Sequence, residues 1–172
     1  MEARALENHR RKRDEFFKSH FASPVPEDDI ESFSGLSYFA PNAEMTFEGR
    51  FESSDGSMVQ IESTAGTSSG YHKIGTLSVT VLGTEYRFTV LDDGDGNPFI
   101  PFGDETNGES TYGGGRYLPV AFHDDGSAVI DFDLAHNPFC VYDDEFVCPL
   151  PPIENRISAP IEAGEKMYRT DV

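Results

Sequence analysis

The feature that most constrains the fold of this chain is a strict alternation of apolar and polar residues along its middle. The segment GTLSVTVLG (75–83) places apolar side chains at every second position, and EYRFTV (85–90) repeats the pattern. Successive side chains of a β-strand point to opposite faces of a sheet, so these segments are predicted to be half-buried strands. The same period of two recurs in four further segments: AEMTFEGRFE (43–52), SMVQIES (57–63), RYLPVAF (116–122) and SAVIDFD (127–133).

Turn signals between these segments indicate how the strands connect. Gly83-Thr84 favours a tight hairpin, because glycine reaches the positive φ that such turns need, and HDDG (123–126) favours another. The alternation of strands and helices that a parallel sheet requires is missing. We therefore predict a mainly β fold, an antiparallel β-sandwich or barrel with one N-terminal α-helix and long loops in the second half. The pattern leaves sandwich and barrel both open.

The N-terminal segment ARALENHRRKRDEFFKSHF (3–21) contains good helix formers with a thin apolar stripe, and we expect this helix to pack across one side of the sheet. The following SPVPEDD (23–29) ends the helix, because proline cannot continue it. A chain of 172 residues is expected to form one domain. Its predicted parts are the N-terminal helix (1–22), the antiparallel strands (43–133), and a Pro-rich loop with the C-terminal segment (134–172).

The charge balance excludes some classes of partner. The formal net charge is −18, from 31 acidic and 13 basic side chains, and such a surface repels nucleic acids and anionic membranes. A core that is otherwise ordinary, with 14 Phe and 7 Tyr, makes this acidic pattern typical of a halophilic protein, because salt screens the self-repulsion. The N-terminus has basic residues without an apolar run behind them, so we expect no secretory signal and a cytoplasmic location.

The long loop at 92–116 is rich in Gly, Asp and Asn, and loops of this length are often functional. Asp93, Asp95, Asn97 and Asp104 have part of the spacing of a calcium loop. However, Pro98 stands where the sharp turn needs glycine, and flanking helices are not evident. These departures favour an acidic hairpin turn.

The same loop ends in GGGR (113–116), for which two interpretations stay open. Backbone N–H groups and the Arg116 guanidinium could bind phosphate, although the spacings of known phosphate-binding motifs are missing. Alternatively, the glycines let the loop pass close to aromatic rings, and Arg116 pairs with an acid such as Asp104, Glu109 or Asp131. We favour this structural interpretation.

The segment HNPFCVYDDEFVCPLPPIEN (136–155) holds both cysteines of the chain. Cys140 and Cys148 could take part in a zinc site with a histidine, form a disulfide, or supply a nucleophile paired with His136. Two thiols at this spacing match no recognised zinc motif. We favour two small, buried, apolar cysteines held between packed, proline-rich turns.

The segments FIPFGDETNGESTYGGGRYL (99–118) and IDFDLAHNPFCVYDDEFVCPLPPIENRISAPIEAGEK (130–166) resemble a family of bacterial and archaeal proteins, domain of unknown function family 1684. The resemblance implies no reaction class. The family pattern has Tyr at the position of His136, which weakens any scheme with His136 as base or metal ligand. The matching positions here are Asp104, Thr106, Gly108, Thr111, Tyr112, Gly115, Arg116, Tyr117, Asn137, Cys140, Tyr142, Cys148, Pro149, Pro151, Asn155 and Glu165.

Two functional hypotheses follow, with association with another protein as a third interpretation. The first is a binding module for a small polar or anionic ligand, oriented by Arg116 and without a cofactor or metal. The second is a hydrolase-like or metal-dependent enzyme using Asp104, Glu109 or Cys140. The aromatic content also allows a homodimer. All of this requires the segments around Arg116 and Cys140 to converge. The predicted ligand-binding residues are Asp104, Thr111, Tyr112, Arg116, Tyr117, Asn137 and Tyr142.

Overall fold

The computed structural model describes residues 3–92 and 94–168. The helices are α1 (Ala3–Ser19) and the short α2 (Glu27–Ile30). The strands are β1 (Thr46–Ser53), β2 (Met58–Glu62), β3 (Ser68–Val81), β4 (Thr84–Asp92), β5 (Pro98–Phe102), β6 (Arg116–Phe122) and β7 (Ser127–Asp131).

The strands form an antiparallel sheet that closes on itself. Its order is β1-β7-β6-β5-β4-β3-β2, and β1 pairs with β3 as well as with β7. Six strands therefore make a closed barrel, which confirms the antiparallel prediction and decides between barrel and sandwich. The closure depends on β3, the longest strand. Its first part pairs with β2, as in Met58 opposite His72, and its later part pairs with β1, as in Phe51 opposite Leu77.

The predicted turns are present. Leu82 and Gly83 have φ of 49° and 85° at the turn between β3 and β4, and Gly126 has φ of 85° between β6 and β7. Asp92 at the end of β4 pairs with Pro98 at the start of β5, so residues 94–97 lie at the tip of a hairpin, as favoured. Asp93, which has part of the spacing of a calcium loop, lies outside the described residues.

The barrel interior is filled by the apolar residues of the alternating strands. Two glycines allow β1 and β3 to cross closely: a Cβ at Gly49 would lie 2.4 Å from the carbonyl oxygen of Ser78, and one at Gly75 would lie 2.4 Å from that of Glu52. The C-terminal segment also contributes to the core. The buried members of this core include Leu77, Val79, Phe88, Val90, Ile100, Phe102, Leu118, Ile130, Phe132, Ile157 and Ile161.

Helix α1 packs on loops, whereas we expected it to cross one side of the sheet. Its Phe17 is fully buried in a second apolar cluster with Val25, Phe33 and Tyr142, which all lie outside the strands. The reason is that the apolar face of the helix is narrow and its buried side carries arginines. One of these, Arg13, forms an ion pair with Glu165, with 2.7 Å between Nε and Oε1.

Strand β5 was missed because its sequence, PFIPF, contains two prolines and no polar alternation. Pro101 cannot donate a hydrogen bond to the sheet. It nevertheless lies opposite Tyr117 in the pairing of β5 with β6, and its carbonyl accepts a hydrogen bond from the Asn155 side chain at 2.9 Å. An amide from the C-terminal segment thus bonds the backbone of this strand.

Candidate functional site: a groove beside Tyr117

Arg116 is the first residue of β6, and its side chain points into the protein with no exposed surface. Nη2 donates to Asp104 Oδ2 at 3.0 Å and to the carbonyl of Ile161 at 2.8 Å, while Nη1 donates to the carbonyls of Ala163 and Glu165. The predicted pairing of Arg116 with an acid such as Asp104 is confirmed. The guanidinium therefore holds the C-terminal segment against the barrel.

Asp104 is equally engaged. Its Oδ1 accepts hydrogen bonds from the backbone N–H and hydroxyl of Thr106, at 2.8 and 2.6 Å, and from the backbone N–H of Ile161 at 3.1 Å. Thr106 Oγ1 lies 2.8 Å from Oγ1 of the fully buried Thr111. Asp104, Thr111 and Arg116 thus form one buried polar network, and Glu109, the other candidate base in this loop, is exposed.

The two late segments do converge, on the outer side of the barrel. Tyr117 follows Arg116 in the strand, so its side chain points to the opposite face. Its backbone pairs with His136, with N–O distances of 2.8 and 3.0 Å, and its hydroxyl donates to the carbonyl of Pro149 at 2.9 Å. The required meeting of the Arg116 and Cys140 segments is therefore observed, one residue away from Arg116.

Between these segments lies a cavity of about 360 Å³, which we call the Tyr117 groove. One wall is the hairpin of β5 and β6, and the other is the Pro-rich loop. Of the predicted ligand-binding residues, Tyr117 and Asn137 line it. The full lining is Tyr71, Asn97, Pro98, Phe99, Tyr117, Pro119, His136, Asn137, Pro138, Phe139, Phe146, Val147, Cys148 and Pro149.

His136 contributes a neutral imidazole to this groove. Burial, with a smaller contribution from the charge of Arg13, lowers the pKa of His136 to about 3. Nδ1 lies 3.2 Å from the carbonyl oxygen of Leu134, which can only accept a hydrogen bond. Nδ1 therefore carries the proton, and Nε2 is left as an acceptor.

The two cysteines are free thiols, and Cys148 lines this groove. Hydrogen bonding from the Cys140 thiol and from the backbone N–H groups of Cys140 and Phe139 lowers the pKa of Cys148 to about 6 against the effect of burial. Hydrogen bonding with Cys148, together with burial, raises the pKa of the Cys140 thiol, which therefore keeps its proton. Cys148 is buried, as we favoured, whereas Cys140 is only partly buried.

The two remaining predicted residues lie apart from the groove lining. Tyr142 is in the apolar cluster under α1, and its hydroxyl donates to Glu165 Oε2 at 3.1 Å. The backbone N–H of Asn137 donates to the same oxygen at 2.8 Å. Tyr112 contacts the thiol of Cys140, and burial together with that contact raises the pKa of Tyr112 to about 12. The seven predicted residues therefore divide among four environments: the Arg116 network, the groove lining, the apolar cluster under α1 and the neighbourhood of Cys140.

Residues 3–92 and 94–168 contain no group of three His, Cys, Asp or Glu side chains placed to hold a metal ion. Within the same described part of the chain, neither helix is long and apolar enough to span a membrane.

Comparison with known protein families identifies the family of this chain. The model for Protein of unknown function (DUF1684) matches residues 31–166, most of the chain. The chain belongs to the DUF1684 family. The resemblance that we drew from the two long motifs is thereby confirmed.

This DUF1684 protein is also similar to a solved structure, the solution NMR structure of an uncharacterised protein of Haloarcula marismortui, an archaeon. The two chains are 33% identical, the match covers 95% of this chain and 92% of the other, and the TM-score is 0.74. No curated protein matches the sequence.

The two DUF1684 motifs account for most of what has been described. The first motif supplies the Arg116 network on the inner side of the barrel and Phe99 and Tyr117 on the outer side. The second supplies the opposite wall of the groove and both cysteines. The residues that sequence analysis missed, such as Phe146 and Val147, carry no chemical signal of their own, and only the meeting of two distant segments makes them part of a site.

Proposed function

We propose that this DUF1684 protein is a binding module for a small, neutral and largely apolar molecule held in the Tyr117 groove. The observation that carries the proposal is the cavity of about 360 Å³. Its volume falls in the range of about 300–1,000 Å³ typical of small-molecule sites, which are mostly apolar with a few polar groups. The aromatic rings of Phe99, Tyr117 and Phe139 would contact the ligand.

The polar atoms at the groove suit a ligand that donates hydrogen bonds. Asn137 Nδ2 donates to the carbonyl of Lys166 at 2.8 Å, which fixes the orientation of the amide. Asn137 Oδ1 is buried and has no hydrogen-bond partner among the described residues. A buried acceptor in this state costs about 1–3 kcal/mol. Together with the free acceptor of His136, it favours a ligand with an N–H or O–H group.

The charges argue for a neutral ligand over the anionic one considered from the sequence. The groove lining contains no Asp, Glu, Lys or Arg. Arg116, which was expected to orient an anion, instead donates from both Nη atoms to Asp104 and three carbonyls on the other face of the strand. An anion in the groove would therefore be desolvated without a counter-charge, which is costly.

The acidic surface of the protein is suited to a cytoplasm with a high salt concentration. A net charge of −18 on 172 residues repels itself at low ionic strength, and at about 1 M salt the screening length falls to about 3 Å. The similarity to an archaeal protein supports the same proposal. Binding experiments are therefore designed for molar KCl and repeated at low salt.

The test compares two fluorescent probes, neutral N-phenyl-1-naphthylamine and anionic 8-anilinonaphthalene-1-sulfonate, titrated into the purified chain. The neutral probe is expected to bind more tightly. Phe99→Ala removes a ring from the groove, and losing about 1–2 kcal/mol of apolar contact should weaken binding roughly 5- to 30-fold. Phe122→Ala, on the same sheet but outside the groove, is the matched control and should change the affinity little.

Two results would count against the proposal. Equal effects of the Phe99 and Phe122 substitutions would show that the probe binds elsewhere. Tighter binding of the anionic probe, still sensitive to Phe99→Ala, would keep the groove but return the ligand class to anions.

A further inference from the structure

Strand β2 has a neighbouring strand on one side only. Among the strands of residues 3–92 and 94–168, each of the others pairs with two strands, which closes the barrel, whereas β2 pairs with β3 alone. An open strand edge can pair with another chain, and proteins commonly prevent this with charges, proline or a covering segment. Whether the edge of β2 can take a partner therefore depends on which of these protections it has.

The two ends of β2 show which of its backbone groups face the open side. The carbonyl of Ser57, next to the strand, accepts a hydrogen bond from a backbone N–H of β3 at 3.1 Å. The carbonyl of Glu62 points the other way and accepts from the backbone N–H of Leu150 at 2.7 Å. Because these directions alternate along an antiparallel strand, the N–H and C=O groups of Met58 and Gln60 face the open side.

The Pro-rich loop covers only the far end of this edge. Leu150 donates to Glu62, and Thr64 donates to the carbonyl of Cys148 at 3.0 Å. In the antiparallel register of these two hydrogen bonds, Pro152 would have to donate to Gln60, but proline has no N–H. A cavity of about 320 Å³ borders Gln60 and the prolines, so another strand has room to approach. The loop therefore leaves the first half of the edge open.

This open half lacks the charges that usually protect a strand edge. Residues 57–61, SMVQI, contain no ionisable side chain, although the chain has a net charge of −18. The side chain of Met58 is exposed and that of Val59 is half-buried. An equally acidic second copy can approach this edge without bringing carboxylates together, whereas most of the surface repels it. The charge pattern thus favours a second copy of the chain as the partner.

We propose that β2 is a dimerisation edge, on which the β2 strands of two copies pair in antiparallel orientation about a two-fold axis at Val59. Met58 of each copy then lies opposite Gln60 of the other, and their outward backbone groups form four hydrogen bonds. The two Val59 side chains meet on the axis at a non-hydrogen-bonded position, where opposite strands approach most closely. Glu62 lies opposite Gly56, so this carboxylate does not meet another. The dimer is independent of the Tyr117 groove.

The first test measures the molar mass of the full-length chain by sedimentation equilibrium in molar KCl at increasing protein concentration. The wild type is expected to approach the mass of two copies, with a dissociation constant that rises as KCl is lowered, because the screening of its charge of −18 is then lost. Met58→Lys places a charge on the edge and should weaken dimerisation at least about tenfold. Leu82→Lys, the matched control, makes the same change in charge at another exposed apolar residue and should have little effect.

Two further variants test the pairing itself. Gln60→Pro removes an N–H that has no partner in the single copy, so its circular dichroism should match the wild type, but it should lose the dimer because two of the four hydrogen bonds disappear. Val59→Cys reports the register. The two Cα atoms would lie about 4.5 Å apart, within reach of a disulfide, so mild oxidation should link two copies. Glu85→Cys, exposed on β4, is the control and should not link.

A wild type that keeps the mass of one copy at every concentration in molar KCl would refute the proposal. A dimer that Met58→Lys leaves intact would also refute it, because its interface would then lie elsewhere. If Gln60→Pro does not fold, the disulfide of Val59→Cys decides the register, and its absence under conditions in which the wild type dimerises would overturn the two-fold axis at Val59.

Discussion

Asp104→Asn is the most informative substitution for the polar network inside the barrel. It conserves the shape of the side chain and removes its charge. Oδ1 of Asp104 accepts three hydrogen bonds, from Thr106 and Ile161, so the oxygen of the new amide must keep that position. The amide nitrogen then faces Nη2 of Arg116, now 3.0 Å from Oδ2, and a donor meets a donor.

The expected cost follows from burial. Neither partner of the Arg116–Asp104 pair has an exposed side chain, so solvent cannot take over the lost charge interaction. Removing one partner of a buried ion pair typically costs about 3–5 kcal/mol. For a chain of this size, about 1 kcal/mol corresponds to roughly 2–4 °C in Tm. We therefore expect Tm to fall by roughly 6–20 °C.

Thermal unfolding measures the fall in Tm, and urea unfolding measures the change in the free energy of unfolding. Both are run at constant KCl concentration and followed by circular dichroism, because the chain has no tryptophan. Glu109→Gln is the matched control, since it makes the same chemical change on an exposed carboxylate of the same loop and should stay within about 0.5 kcal/mol. If the free energy of unfolding of Asp104→Asn lay within about 1 kcal/mol of the wild type, the buried charge of Arg116 would not depend on Asp104 for its compensation. The structural account of this network would then fail.

Two further predictions concern the backbone and pH. Gly115→Ala should lower the free energy of unfolding by about 2–5 kcal/mol, because φ is 88° and the new Cβ would lie 2.5 Å from Pro151 Cγ and 2.6 Å from the carbonyl oxygen of Phe102. The control is Gly56→Ala, where φ is 72° but the space around the new Cβ is open. This substitution should cost only about 1 kcal/mol in the same urea assay. The folded-state pKa of His136 is lowered to about 3 from 6.5, so the unfolded chain binds the proton first and stability falls as pH drops from about 6.5 toward 3. His136→Phe should remove this loss, and its stability relative to the wild type should rise by up to about 1.4 kcal/mol per pH unit in that window; an unchanged difference between pH 7 and pH 4.5 would contradict it.

The strands were predictable because alternation is a local property. The predicted runs from 75–83 and 85–90 correspond to the paired parts of β3 and β4, including the hairpin at Gly83. Barrel closure was not predictable, because it depends on β3 exchanging its partner from β2 to β1 across a bulge between Lys73 and Gly75. Long-range packing determines this change of partner. The sequence of residues 68–74 is compatible with an extended conformation, but it does not indicate which strand they pair with.

The placement of α1 was mispredicted for a related reason. An apolar stripe says that a helix is buried on one side but not against what. Here the neighbouring arginines decide. Arg10 donates to the carbonyl of Phe39 at 3.0 Å, and Arg13 pairs with Glu165. Both partners belong to irregular segments that leave polar groups to be satisfied, whereas the outer face of a strand pair has its backbone groups already bonded.

The candidate site shows how far a motif can be interpreted without coordinates. Both the polar network and the groove arise from one short stretch, and the strand period divides them. Arg116 and Leu118 face inward and are fully buried, while Tyr117 and Pro119 face outward and line the groove. The sequence grouped Arg116 with Tyr117 because they are adjacent, but adjacency in a strand places side chains on opposite faces. Applied to 116–119 before any coordinates, the same rule would have assigned the arginine to the interior, where a charge must be paired, and the tyrosine to the surface that meets the Pro-rich loop. The proposed groove is therefore lined by the outward residues of this strand and by the Pro-rich loop opposite them, and the inward residues fix the strand in place.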